Sequence, residues 1–429
     1  MKSITSTDPA KSSTSLGQPH GALHGMFRVL CCFILLLSGC SSSAPVSNPV
    51  PAAPWAQLEK QAKGTTVRIG MWDGDPLINA YMKEWVAEQL KNQYDITFEQ
   101  IGTQGNNLVS KLMVDLETGR SSGDFDLVWI NGETFYQLRK LNALTGPFTD
   151  RLPNNHLVDW SSRFVAIDFQ QPVAGYECPL GSVQLALIYD SSRVMDPPKT
   201  RQQIEEWARQ HPGRFTFDTG FTGLTFLKCL LYDFAGGPKS LDGPFDDAQY
   251  QEASAKLFAW LREIQPLLWR QGKTFPESVT QLHQLFRNGE VDFTMSNNDG
   301  EVDNKVIQGI LPETSRAYVL ESGTIRNSHY LGIPFNAPNK AGAMVVANFL
   351  LSPEAQLKKA QPAVWGDGTI LDISKLPEEW QGRFRQVEGR TRVASREELN
   401  AHALMEPAPE IMIRLEADFR REIIERGQE

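Results

Sequence analysis

The chain has 429 residues, with 42 Lys and Arg against 51 Asp and Glu, a formal charge of −9. At 41% hydrophobic and 22% charged it holds roughly two to three domains' worth of ordinary globular sequence, which excludes a collagen, a coiled coil, a polytopic membrane protein and a wholly disordered chain. The acidic balance, with no Lys/Arg run, also removes the electrostatic term on which nucleic-acid binding depends.

Residues 1–25 are rich in Ser, Thr, Gly and Pro without an apolar period, as in an unstructured leader. Met26, Phe27 and Arg28 then open the apolar run Val29 to Leu37. That run falls in the signal-peptide range of about 7 to 15 residues and is short of the roughly 20 needed to span a bilayer. It ends in Leu37-Ser38-Gly39-Cys40, which resembles a bacterial lipobox with Cys40 as the lipidated new N-terminus. An ordinary secretory signal that happens to hold a Cys, or a short buried helix, is the alternative, and translation starting at Met26 instead of Met1 is a second open point. Residues 1–40 are thus expected to be leader and signal, and 41–64 a Pro/Ser/Ala tether. Beyond Cys40, Cys178 and Cys229 remain, able to pair in an oxidising envelope or to stay free and buried.

From Thr65 strand and helix patterns alternate, which predicts an α/β fold. Val67 to Met71 reads as a strand, Asp75-Pro76 as an N-cap and first helical residue, and Ile78 to Leu90 as one apolar helix face. Asp95 to Ile101 is a second strand, a helix carries Leu108, Leu112 and Leu116, and Phe125 to Ile130 is a buried third strand ending at Asn131-Gly132-Glu133. Val183 to Tyr189 and Phe215 to Phe217 read as strands, as do Val291 to Met295 and Tyr330 to Ile333. Helices are predicted over Thr200 to Gln210, Thr222 to Tyr232, Ala248 to Gln265, Ser278 to Phe286 and after Asn298. The expected partition is a discontinuous first lobe, 65–173 plus 323–360, and a second lobe with C-terminal helices, 174–322 plus 361–429. Each lobe is expected to be a mainly parallel sheet flanked by helices, with a hinge between them.

Three stretches carry a resemblance: Asp126-Leu127-Val128-Trp129-Ile130-Asn131-Gly132-Glu133, Gly289-Glu290-Val291-Asp292-Phe293, and Gly332-Ile333-Pro334-Phe335-Asn336-Ala337-Pro338-Asn339-Lys340, the last leading to Phe349-Leu350-Leu351-Ser352-Pro353-Glu354-Ala355-Gln356. With these the chain resembles the bacterial extracellular solute-binding proteins of ABC importers, of the class II periplasmic-binding fold, over roughly Thr65 to Arg420. It is most similar to a branch near thiamine, polyamine and iron binders. The resemblance implies a two-lobed, non-enzymatic receptor without cofactor that hands a small solute to a membrane permease and its ATPase. Catalytic signatures are missing: no Gly-x-Ser-x-Gly, no Gly-x-x-x-x-Gly-Lys-Ser/Thr and no His-Glu-x-x-His.

Ligands of open α/β sheets sit beyond the carboxyl ends of strands, so the residues after each strand are the candidates. Trp72 and Asp73 follow the first strand, with a packed Trp and an Asx turn as the structural alternative. Asn131 and Glu133 follow the third, where capping and helix-dipole roles compete. Tyr176 lies in the crossing segment, Thr222 opens a helix after Thr219-Gly220-Phe221, and Asn298 and Glu301 follow the strand Val291 to Met295. Asn327 and the loop Trp365 complete the set. This aromatic and acidic pool suits an organic cation such as thiamine or a polyamine, or a sugar, better than ferric ion. The expectation is a lipid-anchored monomer in the periplasm or cell envelope, binding neither metal nor nucleic acid. An envelope hydrolase on a similar scaffold and a non-transport binding lipoprotein are the alternatives.

Overall fold

The computed structural model describes residues 49–103, 105–387 and 390–426. The leader, the apolar run Val29 to Leu37, Cys40 and the first part of the tether lie outside the described residues. Where the tether was expected to continue, Trp55–Ala62 forms helix α1. Trp55, Leu58 and Ala62 fall on one face at helical spacing, and Leu58 and Ala62 are buried in the first core.

The first sheet is built around β1 (Thr66–Met71), whose inward residues Val67, Ile69 and Met71 are buried. The chain turns at Asp75 into α2 (Pro76–Ala80), returns in β2 (Thr97–Gly102), then runs through α3 (Gly105–Glu117), β3 (Leu127–Ile130) and α4 (Gly132–Lys140). β1 pairs parallel with β2 (Val67 opposite Phe98) and with β3 (Ile69 opposite Leu127). Asp126 fixes this arrangement by accepting the backbone N–H of Arg68 and of Asn339, each at 2.8 Å.

Two long strands join the halves of the molecule. β4 (Glu177–Gln184) leaves the first sheet and continues past Leu185 into β5 (Ala186–Asp190). After α5 (Phe221–Phe234), β6 (Phe293–Ser296), α6 (Glu301–Ile307) and β7 (Ser315–Tyr318), the chain returns in β8 (Thr324–Pro334) and enters α7 (Lys340–Leu350). β8 pairs antiparallel with β4 from Arg326 opposite Gln184 to Gly332 opposite Glu177, and with β3 at Tyr330 opposite Ile130. The pairing partner therefore changes at Leu185, not near residue 174. The stretch Val183 to Tyr189, read as one strand, is divided there. The second sheet, in the order β7-β5-β6, is antiparallel in both its pairings, where a mainly parallel sheet was expected. Phe215 to Phe217 is buried but forms no paired strand, because its neighbourhood offers isolated bonds such as Asp292 N–H to the Arg214 carbonyl, at 2.8 Å, instead of a ladder.

Each sheet has its own apolar core. Leu187, Phe226, Phe293 and residues of the C-terminal helix α8 (Pro409–Phe419) fill the second. Trp365, Ile370, Leu371 and Leu376 pack in the first, although 361–429 was assigned to the second lobe. The two remaining cysteines fall in different cores and are free, which corrects the suggested disulfide. Burial pushes the Cys178 thiol up, and the Cys229 thiol up to about 12, so neither is a thiolate at neutral pH. No helix among the described residues is long and apolar enough to cross a membrane.

Candidate functional site

The carboxyl ends of β1, β2 and β3 carry one continuous rim. Trp72, 42% exposed, folds over Gly74. The Asp73 carboxylate lies against Gly102 at the end of β2, and its backbone carbonyl accepts Asn79 Nδ2 at 2.8 Å. Gly105, which opens α3, is covered in the same way by the Thr134 hydroxyl, and at neither glycine is there room for a Cβ. Three residues span at most roughly 11 Å, so Asp73 and the start of α4 belong to the same neighbourhood.

The start of α4 shows why Asn131 does not cap it. Gly132 sits at φ +34° beneath the Phe169 ring, where a side chain would collide, and its N–H donates to the Asp168 carboxyl group 36 residues away. Asn131 occupies the N-cap position without a side-chain bond. Glu133 is half-buried; burial and the nearby Glu416 push its carboxyl up, and Gln137 Nε2 donates to one of its oxygens at 2.7 Å.

The second half supplies Thr222 in the first turn of α5, Asn298 in the loop after β6 and Glu301 at the start of α6, which the structure groups around the end of β6. Thr222 Oγ1 accepts Asn297 Nδ2 at 3.0 Å. Asn298 donates its N–H to Ser296 Oγ at 3.0 Å and accepts that of Gly300 at 2.9 Å. Glu301 accepts the Ser296 hydroxyl and lies 3.3 Å from Lys305 Nζ, one turn along α6. Lys305 in turn pairs with Asp75, the N-cap of α2, so this group reaches across to the first sheet. Burial lowers the Lys305 ammonium, but Glu301 and Asp75 more than offset it and hold it above its ordinary value.

The remaining candidates go elsewhere. Trp365, expected in an exposed loop, is 4% exposed and is stacked on His329 with centroids 5.5 Å apart, with Trp129 at the same separation. It is a core residue because β3 and β8 bring those rings over it. Asn327 donates to Glu406 Oε1 at 2.8 Å, and Glu406 Oε2 pairs with the fully buried Lys228 at 2.6 Å. Tyr176 lies under the Arg139 guanidinium, 3.4 Å from its ring centroid. Sequence reasoning missed Phe221, 37% exposed at the start of α5, and Lys305. The i, i+4 spacing of Glu301 and Lys305 was available as a signal. The contact of Lys305 with Asp75 was not.

The N-termini of α2, α4, α5 and α6, potential anion holders, already meet the protein's own acids, whereas α3 has no acid in its first turn. Asp75 takes the N–H groups of Leu77 and Ile78 in α2, Asp168 takes that of Gly132 in α4, and Asp218 takes that of Gly220 before α5 at 2.9 Å. Glu301 and Asp303 lie in the first turn of α6. Among the described residues no group of three or more His, Cys, Asp or Glu side chains is set to hold a metal ion.

Two α/β halves, joined by a pair of antiparallel strands and turning the loops at their strand ends toward one another, form the periplasmic-binding-protein fold. The chain belongs to the bacterial extracellular solute-binding proteins, whose family model matches residues 84–384. It is 38% identical over 331 residues to Protein YnjB of Escherichia coli (strain K12), covering 76% of this chain and 85% of that one. Its fold is similar to that of the spermidine/putrescine ABC transporter substrate-binding protein PotD from Streptococcus pneumoniae, with a TM-score of 0.58 and 16% identity over 83% of this chain and 99% of that one. Iron-bound HitA from Pseudomonas aeruginosa is also similar, with a TM-score of 0.55 and 15% identity over 82% and 99% of the two chains. The protein is therefore an extracellular solute-binding protein, with a solute as its partner, and is not an enzyme.

Proposed function

We propose that this receptor captures an organic cation between its two halves, on a site that includes Trp72, Asp73, Glu133 and Phe221. The observation that carries the reading is the distribution of free acceptors. Asp75, Asp299, Glu301, Asp303 and Glu406 each have a Lys or Arg partner, whereas Asp73 has none among the described residues and Glu133 makes no salt bridge, with Lys228 acting on it only from a distance. Trp72 adds an exposed aromatic face after the end of β1, suited to a cation through the ring quadrupole, and Phe221, at the start of α5 in the other half, adds a ring that already has the Lys228 ammonium 5.2 Å from its centroid. The N-termini of α2, α4, α5 and α6, which meet the protein's own acids, are poor places for an anionic solute. PotD, a spermidine/putrescine substrate-binding protein, and iron-bound HitA supply cationic parallels, whereas AfuA from Actinobacillus pleuropneumoniae, equally similar in fold, holds fructose-6-phosphate. Contact with both halves favours the closed state by the difference in ligand affinity between closed and open, and that difference alone drives closure onto the permease.

Calorimetric titration with thiamine, tetramethylammonium, polyamines and neutral sugars tests this. Trp72→Ala and Asp73→Asn should each weaken cation binding by roughly tenfold, with stability changed by less than about 1–2 kcal/mol at these exposed positions. Tight binding of a neutral sugar, indifferent to Asp73→Asn, would overturn the reading.

We further propose that Cys40 carries a lipid anchor, supported by the Leu37–Cys40 motif. Metabolic labelling with a fatty acid should mark the wild-type chain and lose the mark in Cys40→Ser. Equal labelling of both chains would exclude Cys40.

A further inference from the structure

This inference rests on the cationic reading above and narrows it. Asp75 follows β1 and Glu301 follows β6, so the two carboxylates come from opposite sheets, and all four of their oxygens are engaged. Asp75 Oδ1 accepts Leu77 N–H at 2.8 Å and Ile78 N–H at 3.0 Å, and its Oδ2 accepts Lys305 Nζ. Glu301 Oε1 faces the same ammonium at 3.3 Å, and its Oε2 accepts the Ser296 hydroxyl. The side chains of Lys305 and Asp75 are only 7% and 9% exposed, so the pair is largely shielded from competing water. His283, buried on the helix Val279–Arg287, faces this cluster, with Nδ1 2.7 Å from Thr294 Oγ1. Burial holds its imidazole below the ordinary value, so it adds no second cation at neutral pH.

We infer that Lys305 is a built-in ammonium that fills the carboxylate pair bridging the two sheets, and so restricts the receptor to solutes with a single cationic centre. A diamine would need two anionic partners. Asp73 and Glu133, both on the first sheet and in one neighbourhood, serve together as the partner of one end, and the Asp75–Glu301 pair, which reaches the opposite sheet, is closed to the other. Lys305 is in this sense a specificity-determining residue that acts by occupying a charge slot.

Butylammonium and 1,4-butanediammonium differ by one charge and test the assignment on the full chain by calorimetry. Wild type should bind the diamine no more tightly than the monoamine. Lys305→Met should shift the ratio toward the diamine by about tenfold or more, the scale of a regained charge-assisted hydrogen bond, and Lys305→Arg should keep the wild-type ratio. A wild-type preference for the diamine of about tenfold overturns the inference while leaving the cationic reading standing, and this comparison decides even where Lys305→Met does not fold. Should wild type bind neither amine nor any other organic cation, the cationic reading fails. The inference, which rests on that reading, then fails with it.

Discussion

Replacing Lys359 by methionine lowers the free energy of unfolding by about 3–5 kcal/mol, read from urea denaturation. Lys359 and Asp367 are both fully buried, 2.5 Å apart, and the ammonium also donates to the Gly368 carbonyl at 2.8 Å. Methionine keeps most of the side-chain volume, so the loss is electrostatic. Asp367 would keep only His329 Nε2, at 3.1 Å, while its Oδ1 already has no partner. Burial works to raise the Asp367 carboxyl, and the His329 ring and the Lys359 ammonium more than offset it, so the group is held as a carboxylate below its ordinary value. Removing the cation strands that charge in a site ringed by Trp129, His329 and Trp365. The double variant Lys359→Met/Asp367→Asn should recover a substantial part of the loss, because no buried charge is then left alone. A double variant as unstable as the sum of the two single variants would show that the pair does not act as a unit.

The same cluster shows where sequence reading stops. Trp365 lies in Val364-Trp365-Gly366-Asp367, a Gly-containing loop that reads as exposed. Its burial comes from Trp129, 236 positions earlier, and from His329 on a returning strand, which no local pattern reports. By contrast β1, α2 and β3 were legible because their periods are local: Val67, Ile69 and Met71 alternate, Asp75-Pro76 begins a helix, and Leu127 to Ile130 is apolar throughout. The change of sheet at Leu185 was hidden for the opposite reason. β4 and β5 are buried on nearly every residue, so the apolar run carries no mark of where one sheet ends and the next begins. At the candidate site the strand-end rule found Trp72, Asp73, Thr222, Asn298 and Glu301 as positions. It could not find that Asp168, on a short hairpin, takes the α4 amide, nor that Lys305 reaches Asp75 over 230 residues.

The unfolding free energy of Glu177→Gln should rise relative to wild type as the pH is raised from about 5 to about 8, by up to about 1.4 kcal/mol per pH unit. Glu177 is fully buried at the start of β4, and neither of its carboxyl oxygens has a hydrogen-bond partner. Burial, reinforced by the nearby Asp168, pushes the carboxyl well above its ordinary range, and Arg139 opposes this only in part. A carboxyl raised in the folded state holds its proton more tightly there than in the unfolded chain. Its contribution is therefore fully present below the ordinary carboxylate range and is lost as pH climbs through the folded value. Asp168, likewise raised by burial, titrates in both proteins with the same sign of slope, so the comparison reads what Glu177 adds, its interaction with Asp168 included. Asp190 runs the other way: its carboxyl is lowered to about 2, net of burial, by the Ser192, Thr314 and Arg193 donors, so its contribution is lost only in strong acid, below the window compared. Glutamine cannot ionise, so the variant is spared the cost that wild type meets on deprotonating a buried group. Urea melts of both proteins at a series of pH values measure the difference. A gap that stays constant across the series would mean that Glu177 finds a partner or solvent in the folded protein, and that the start of β4 is less closed than its burial implies.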